Sequence, residues 1–360
     1  MDKFAFILHP LEVSDIARKY PFTAKLPPRL VEWAATRFIR PKVISSITGI
    51  RSRTGVEIEG IFVGCPLTAR RMLEEDEAFV LAKIIAAGRV AEEEGAKIVG
   101  LGAWTSVVGD AGITVAENLN IAVTTGNSYT AATALEGTRR AAALMGTDLA
   151  QARVAVIGAT GSIGRVCAQV MAQEAAVLCL LGRRREKLEA LAEQLRANGT
   201  AEIEVSTDLK RSLPTAEVVI AVSSSADALV EPEDLQVGAV VCDVARPRDV
   251  SRRVAEERDD VLVIEGGVVK PPGEVDFHFN FGFPPGLAYA CMAETMILTL
   301  EKRFENYSLG RELSLQKVRE ISALAKKHGF ELAGFRSFER TLTEEDLARV
   351  RENAAKKRRP

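Results

Sequence analysis

The stretch Arg153-Val154-Ala155-Val156-Ile157-Gly158-Ala159-Thr160-Gly161-Ser162-Ile163-Gly164 decides the fold of a large part of this chain. Its apolar, β-branched first half is typical of a buried parallel strand, which leads directly into a glycine-rich turn. Residues 165–173 have helical character, so strand, turn and helix follow in the order that a dinucleotide site requires. Gly158 permits a tight turn, Gly161 lets the backbone approach a pyrophosphate, and Gly164 lets the helix pack on the strand.

The next strand of this region carries a second signal. Val177-Leu178-Cys179-Leu180-Leu181 ends in Gly182-Arg183-Arg184-Arg185, where an NAD-binding protein would have a carboxylate for the ribose hydroxyls. Guanidinium groups instead offer charge and paired donors to a 2′-phosphate, which indicates NADPH. We therefore expect the cofactor to be bound by Gly158, Ala159, Thr160, Gly161, Ser162, Ile163, Gly164, Arg183 and Arg184. The alternative for the glycine-rich turn is a tight turn that binds no ligand. The alternative for the three arginines is the solvated start of a helix.

Strand-like runs recur at 203–205, 218–222, 239–243 and 261–264, which makes six strands in about 110 residues, as one doubly wound domain requires. Residues 1–145 also alternate strand-like and helical runs. The fold class is therefore α/β: a parallel-sheet (Rossmann) NADP domain at 146–284 and an α/β substrate domain at 1–145. C-terminal helices at 285–345 complete the substrate domain, and a basic tail at 346–360 follows.

The composition of the chain argues against several classes of protein function. The 360 residues contain 47 Lys or Arg and 49 Asp or Glu, and the resulting net charge of −2 provides no general field for nucleic acid or a membrane surface. The five cysteines are an odd number without a CxxC pair, which favours thiols in a reducing compartment and predicts no metal site. No uncharged stretch approaches the ~18 residues that span a bilayer. We expect a cytoplasmic protein without a transmembrane segment.

Two loops of the first domain follow strand-like runs. Ala103-Trp104-Thr105-Ser106 follows residues 97–102, and Gly126-Asn127-Ser128 follows residues 121–125 and precedes an Ala-rich helix. Open parallel sheets place ligands at the carboxyl ends of their strands, so these loops are candidates for one wall of a site. Plain turns capped by Ser and Asn are the alternative.

The five cysteines differ in how well their sequence surroundings suit a nucleophile. Cys167, Cys179 and Cys242 lie within apolar patterns and are expected to be buried, and Cys65 is a distant second candidate. Cys291 follows Pro284-Pro285-Gly286, which predicts a helix from about Leu287 with the thiol in its first two turns. A helix N-terminus favours the thiolate, whereas Glu294 one turn later opposes it. Spacing alone favours a buried core cysteine at this position.

Several motifs together resemble the long-chain acyl-(acyl-carrier-protein) reductases known from cyanobacteria, over nearly all of residues 1–335. The matching motifs are Leu101-Gly102-Ala103-Trp104-Thr105-Ser106, Thr124-Thr125-Gly126-Asn127-Ser128-Tyr129-Thr130, the turn at 156–164, Gly266-Gly267-Val268-Val269, Ala290-Cys291-Met292-Ala293-Glu294, Ser308-Leu309-Gly310-Arg311 and Lys327-His328-Gly329-Phe330. The resemblance implies that Cys291 is the nucleophile and that fatty acyl thioesters of acyl carrier protein or coenzyme A are reduced to aldehydes with NADPH. It also implies an aldehyde-consuming enzyme as a further partner.

Within that mechanism, Thr125, Gly126 and Asn127 at a helix start are our candidates for donors to the oxyanion. His278 is a candidate proton donor, for which a structural role is the favoured interpretation, and His328 is expected to be an ordinary residue at a helix end. An acidic carrier would need a local basic patch. The candidates are Arg70-Arg71, Arg139-Arg140, Arg51 with Arg53, and the tail Lys356 to Arg359.

The sequence departs from the cyanobacterial pattern at residues 270–285, where Pro271-Pro272-Gly273 precedes an aromatic run from Phe277 to Phe283, and in its basic C-terminus. Chain-length preference and carrier docking are therefore not carried over from the resemblance. Two other classes remain open. One is an NADP-dependent alcohol dehydrogenase like the shikimate enzymes, with a Lys and Asp acid-base pair in the first domain. The other is an NADPH-binding protein without catalysis.

Overall fold

The computed structural model describes residues 1–223, 225, 227–282 and 284–358, and these form two compact units. The first unit comprises residues 1–129, 269–311 and 316–331. The second unit comprises residues 130–268, 312–315 and the chain from 332 onwards. Arg359 and Pro360 of the expected tail, and Phe283 of the aromatic run, lie outside the described residues.

The first part of the chain builds the first unit. Its elements are β1 (Asp2–Leu8), α1 (Val13–Lys19), α2 (Pro28–Phe38), β2 (Lys42–Arg51), β3 (Glu57–Gly64), α3 (Ala69–Glu74), α4 (Glu77–Glu93), β4 (Ile98–Leu101), α5 (Ile113–Glu117) and β5 (Ala122–Thr124), with short 3-10 helices at Pro21–Lys25 and Ala103–Ser106. Helix α6 (Asn127–Leu144) begins in this unit and continues into the second. Helices α3 and α4 are separate because Asp76 caps the start of α4, where its side chain accepts hydrogen bonds from two backbone N–H groups.

The second unit contains the predicted strand–turn–helix motif. Its elements are β6 (Arg153–Ile157), α7 (Ser162–Glu174), β7 (Val177–Leu181), α8 (Arg185–Asn198), β8 (Glu202–Ser206), α9 (Leu209–Ser212), β9 (Val218–Ala221), β10 (Val240–Asp243), α10 (Arg252–Glu257) and β11 (Leu262–Glu265). The strands lie in the order β11-β10-β9-β6-β7-β8 and all pair in parallel. The predicted doubly wound sheet is thereby confirmed, with all six of its expected strands.

The last part of the chain returns to both units. Its elements are β12 (Val268–Lys270), β13 (Gly273–Asp276), β14 (Ala288–Tyr289), α11 (Ala290–Leu300), α12 (Leu315–His328), β15 (Glu331–Leu332), β16 (Arg336–Ser337), β17 (Arg340–Thr341) and α13 (Glu344–Lys357). Most of the expected basic tail is helical: Thr343 caps α13, and Leu347 and Ala354 pack into the core of the second unit.

The sheet of the first unit has the order β13-β2-β3-β1-β4-β5. Strands β3, β1, β4 and β5 are parallel, so their carboxyl ends share one edge, whereas β2 and β13 pair antiparallel. Side chains alternate along β1. Ala5 and Ile7 face a core that includes Val80 and Ile84 of α4, while Phe6 faces the opposite side.

Helix α11 covers the opposite face of this sheet. A Cβ atom added to Gly100 of β4 would overlap both Thr295 of α11 and Phe6, so glycine at this position allows the helix to lie directly on the strand. Every residue of α11 except Cys291 is buried. The helix is therefore a core element that leaves one residue of its first turn accessible.

The compact units divide the chain differently from the expected domains. The first boundary lies at 129/130 rather than 145/146, because the Ala-rich helix α6 passes from one unit to the other. The second lies at 268/269 rather than 284/285, because β13 pairs with β2 of the first unit. The expected group of C-terminal helices is divided, with α11 and most of α12 in the first unit and α13 in the second.

Candidate active site

The two predicted loops follow neighbouring strands. Residues 103–106 follow β4, and Thr125 and Gly126 follow β5, at the shared carboxyl edge of the sheet. His9, directly after β1, accepts a hydrogen bond at Nε2 from the backbone N–H of Trp104 at 3.1 Å. Burial lowers the pKa of His9 to about 4, so its imidazole is neutral and Nε2 can accept. The first loop is thus attached to the end of β1.

Cys291 occupies the second position of α11, which begins at Ala290 rather than near Leu287 because the short strand β14 precedes it. Gly126 lies against it with a φ of +74°. A Cβ atom at Gly126 would overlap the Cα and Cβ atoms of Cys291, so only glycine fits this approach. The loop after β5 and the thiol-bearing turn of α11 are therefore in direct contact.

Glu294 joins the same two segments. Its fully buried side chain accepts a hydrogen bond from the Thr124 hydroxyl at 2.5 Å and one from the backbone N–H of Tyr129 at 2.7 Å. Burial raises the pKa of this carboxyl group, while hydrogen bonds from Thr124, Ser308 and the N–H groups of Tyr129 and Gly126 act in the opposite direction. Glu294 therefore also binds the loop after β5, a role that the sequence did not suggest.

Ser308, which has a φ of +52°, reinforces that loop from the other side. Its carbonyl oxygen accepts a hydrogen bond from the Thr125 hydroxyl at 2.5 Å, and its Oγ accepts one from the backbone N–H of Ser128 at 3.3 Å. Tyr307 donates its backbone N–H to Val123 at 3.0 Å, which fixes this segment beside β5. The motif 308–311 is therefore a support for the loop, a role that its sequence did not reveal.

These bonds bear on the three candidate oxyanion donors. The Thr125 hydroxyl is bonded to Ser308, and the Gly126 N–H is bonded to Glu294 and, at 3.3 Å, to the Thr124 hydroxyl. Asn127 is the first residue of α6 and is buried beside them. All three remain candidate donors, and Asn127 adds the start of α6, where a helix N-terminus favours negative charge.

The other cysteines are buried, as expected. Burial raises the pKa of the Cys65 thiol to about 12, so at neutral pH this second candidate is a thiol rather than a thiolate. Burial also raises the pKa values of Cys167, Cys179 and Cys242. Cys291 is the cysteine whose exposure suits a nucleophile.

His278 and His328 both contact residues of other elements. The Nε2 atom of His278 lies 3.1 Å from the Thr48 hydroxyl, and its Nδ1 lies 3.2 Å from Asp276. His328 ends α12 as expected, but it is buried between the Ser52 hydroxyl at 2.7 Å and Glu301 at 2.6 Å. Both residues join strands or helices of the first unit.

The glycine-rich turn of the second unit has the geometry that its sequence predicts. Gly158 has a φ of +77°, and Gly161 is the exposed N-cap of α7. A Cβ atom on Gly164 would overlap the Gly158 carbonyl oxygen, and one on Gly161 would lie 3.2 Å from it. The turn is therefore closely packed against the helix while its outer side is open, which suits the phosphates of a dinucleotide.

The three arginines after β7 are all exposed but differ in their contacts. Arg185 forms an i,i+4 ion pair with Glu189 at 3.3 Å. The side chains of Arg183 and Arg184 form no hydrogen bond or ion pair with any residue that the structure describes. These two guanidinium groups are available for a phosphate ligand.

The basic doublets considered for a carrier are bonded within the protein. Arg139 forms two hydrogen bonds with Glu174, at 2.9 and 2.7 Å, and Arg140 pairs with Glu136 at 2.5 Å. The others have acidic partners as well: Arg70 and Arg71 with Glu32, Arg51 with Glu57, Arg53 with Glu331 and Lys357 with Asp259.

Comparison with known proteins supports the resemblance. Residues 140–265 match the shikimate/quinate 5-dehydrogenase family. Over 89% of its length, the chain is 27% identical to the long-chain acyl-(acyl-carrier-protein) reductase of Synechococcus elongatus, of which it covers 95%. The predicted resemblance is confirmed. The match of residues 140–265 also confirms a dehydrogenase-type NAD(P)H-binding domain around the glycine-rich turn.

Two further similarities concern a longer protein and a solved structure. Over 91% of its length, the chain is 33% identical to the aminotransferase PigE of a Serratia species, and it spans only 39% of that protein. The crystal structure of 5-ketofructose reductase from a Gluconobacter species aligns with a TM-score of 0.39 and 14% identity, covering 91% of this chain and 98% of that one.

The contact between Gly126 and Cys291 can be tested with two glycine substitutions. Gly146 has a φ of +73°, close to that of Gly126, but open space where a Cβ would lie, so Gly146→Ala isolates the cost of the left-handed backbone, about 1–2 kcal/mol. Gly126→Ala should lower the free energy of unfolding by about 1–3 kcal/mol more, because its Cβ overlaps α11. Urea unfolding of both variants measures this difference. If both variants lost the same free energy of unfolding, the contact between Gly126 and Cys291 would be contradicted.

Proposed function

We propose that this protein reduces fatty acyl thioesters to fatty aldehydes with NADPH, through an acyl group carried on Cys291. The observation that carries the proposal is the accessibility of the Cys291 thiol at the first turn of an otherwise buried helix. The similarity to a reductase that bears this activity in its name supports the same conclusion. Acyl carrier protein or coenzyme A would carry the acyl chain, and a cytoplasmic location fits both donors.

In the first step, the Cys291 thiolate attacks the carbonyl carbon of the thioester. A bond forms between Sγ and that carbon, the bond from the carbon to the carrier's thiol sulfur breaks, and the leaving thiolate takes up a proton. The helix N-terminus favours negative charge at Cys291 and at the oxyanion. Asn127, buried beside Gly126, is the proposed donor to the oxyanion.

The Gly158–Gly164 turn, with Arg183 and Arg184, would hold NADPH, and the bound cofactor would supply the hydride for reduction of the Cys291 thioester to the aldehyde level. When the reduced carbon is released, its bond to Sγ breaks and Cys291 leaves as a thiolate, ready for another cycle. The chain therefore needs no separate acid-base pair for the release of the aldehyde. The role of Glu294 is positional, because it holds Gly126 against the reacting turn.

The family match of residues 140–265 favours a second candidate, a shikimate-like alcohol dehydrogenase. That chemistry needs a Lys and Asp pair beside the substrate. Among the described residues of the first unit, the Lys–Asp ion pair that forms is Lys97 with Asp2 at 2.5 Å. Asp2 begins β1 and Lys97 precedes β4, so this pair lies at the amino ends of the strands, opposite the Cys291 edge.

The assay that separates these functions mixes the protein, NADPH and long-chain acyl carrier thioesters and analyses the products for aldehyde. We expect fatty aldehyde from the unmodified protein and none from Cys291→Ser, which should still bind NADPH. Cys65→Ala is the matched control and should retain most of the activity, because Cys65 is buried. Aldehyde formation by Cys291→Ser would refute the acyl-enzyme. Alcohol oxidation without aldehyde formation from thioesters would support the dehydrogenase.

Cofactor preference should depend on the two unpaired arginines. Replacing Arg183 and Arg184 with Ala should raise the KM for NADPH far more than that for NADH, since each charge-assisted contact contributes about 1.5–3 kcal/mol. Arg185→Ala is the control, because Arg185 is paired with Glu189, and it should change the ratio of the two KM values little. An unchanged ratio in the double variant would contradict the assignment.

A further inference from the structure

Residues 18–42 present an unusual number of large apolar side chains to solvent. The most exposed are Phe22 and Phe38, at 66% and 70% of their surface, and Trp33 is 48% exposed. Leu26 and Leu30 are exposed as well. Clusters of exposed apolar side chains of this kind mark surfaces that contact a partner or a lipid.

Helix α2 has two apolar faces. Val31 and Ala35 pack with Ile16 of α1 and form a small core. The outward face carries Leu30, Trp33 and Phe38, and the rings of Trp33 and Phe38 meet edge to face with centroids 5.2 Å apart. One face therefore attaches the helix to the protein, and the other is a second hydrophobic surface directed to solvent.

The same segment is strongly basic, although the whole chain has a net charge of −2. Its seven cationic residues are Arg18, Lys19, Lys25, Arg29, Arg37, Arg40 and Lys42, and its one acidic residue is Glu32. Glu32 is buried, accepts a hydrogen bond from Thr68 at 2.5 Å and is paired with Arg70. The negative charge is thus directed inward and neutralised, while the positive charges are exposed.

Three of these cations have no internal partner. Lys25, Arg29 and Arg40 form no hydrogen bond or ion pair with any other residue among those that the structure describes. The side chains of Arg70, Arg71, Arg139 and Arg140, by contrast, are bonded to glutamates. The charges of these three residues are therefore available to an external anion, whereas Arg18 and Arg37 are paired with Asp15 and Glu75.

We propose that the surface formed by residues 18–42 binds the face of an anionic lipid membrane. The apolar side chains would enter the boundary between headgroups and acyl chains, and the cations would contact lipid phosphates. Trp33 suits this boundary, since its ring is apolar and its N–H is polar. The surface is a place of attachment: no helix among the described residues is long and apolar enough to cross a bilayer.

The distribution of charge favours lipid over a protein partner. Protein interfaces are depleted of lysine, whereas aromatic residues and arginine are common there. Here the exposed Lys25 lies between the exposed Phe22 and Leu26, and Arg29 shares a face of α2 with Trp33. At a bilayer this alternation is favourable, because arginine stems lie along the apolar surface while their guanidinium groups reach the phosphates. The inference does not depend on the proposed reaction.

The test uses the full chain and lipid vesicles, one set of phosphatidylcholine and one in which phosphatidylglycerol replaces a third of it. The chain should float with the anionic vesicles, far less with the neutral ones, and less as the ionic strength rises. The chain has two tryptophans, and Trp104 is only 6% exposed. A blue shift of fluorescence on vesicle binding, absent in Trp33→Ser, would therefore report insertion of Trp33.

Two exposed sets of three cations provide matched variants. Lys25→Gln, Arg29→Gln and Arg40→Gln together should weaken partitioning into anionic vesicles roughly 100-fold, since each cation near such a surface contributes about 5-fold. Arg89→Gln, Arg319→Gln and Lys326→Gln together remove the same charge elsewhere on the first unit and should have much less effect.

Failure to bind anionic vesicles, or equal losses in the two triple variants, would overturn the proposal. The surface would instead be assigned to a protein partner if the chain binds an acidic carrier protein but no vesicles, and if the first triple variant abolishes that carrier binding. Because vesicle binding is measured without acyl donor or NADPH, either failure is distinguishable from failure of the proposed reaction.

Discussion

The buried carboxyl group of Glu294 is the contact on which the arrangement around Cys291 depends. Burying a carboxyl group away from water costs free energy unless hydrogen bonds from the protein replace those to water. Those of Glu294 come from Thr124, Gly126, Tyr129 and Ser308, so the cost of its burial is offset only when the loop after β5 takes its observed path. The loop and α11 therefore support each other's positions.

Two small residues make this arrangement possible. Gly100 lets α11 lie on β4, and Gly126 lets the loop approach the first turn of the helix. Any side chain at either position would move α11 away from the sheet. Because the rest of the helix is buried, Cys291 cannot turn inward and remains accessible at the carboxyl edge of the strands. The partial accessibility of Cys291 therefore follows from packing.

Much of the second unit could be predicted from the sequence, because its strands are continuous apolar runs and the glycine-rich turn has a fixed order. The fold of the first unit is less predictable from the sequence. Strand β13 pairs with β2 although more than two hundred residues separate them, and local patterns contain no information on such a pairing. The three-residue spacing of Cys291 and Glu294 predicts that the carboxylate opposes the thiolate, but spacing does not reveal the hydrogen bonds of Glu294 to a distant loop. Single cations spread over residues 18–42 are likewise less conspicuous in a sequence than the doublets Arg70-Arg71 and Arg139-Arg140, although those doublets are paired with glutamates.

The central claim is that this loop and helix present Cys291 as the residue that accepts an acyl group. The most direct measurement is peptide mass spectrometry after incubation with a long-chain acyl carrier thioester in the absence of any reductant. The account predicts that the mass of the acyl chain is found on the peptide containing Cys291 and disappears when NADPH is added. Acylation of Cys65, or no acylated peptide at all while aldehyde is still formed from the same donor, would contradict it.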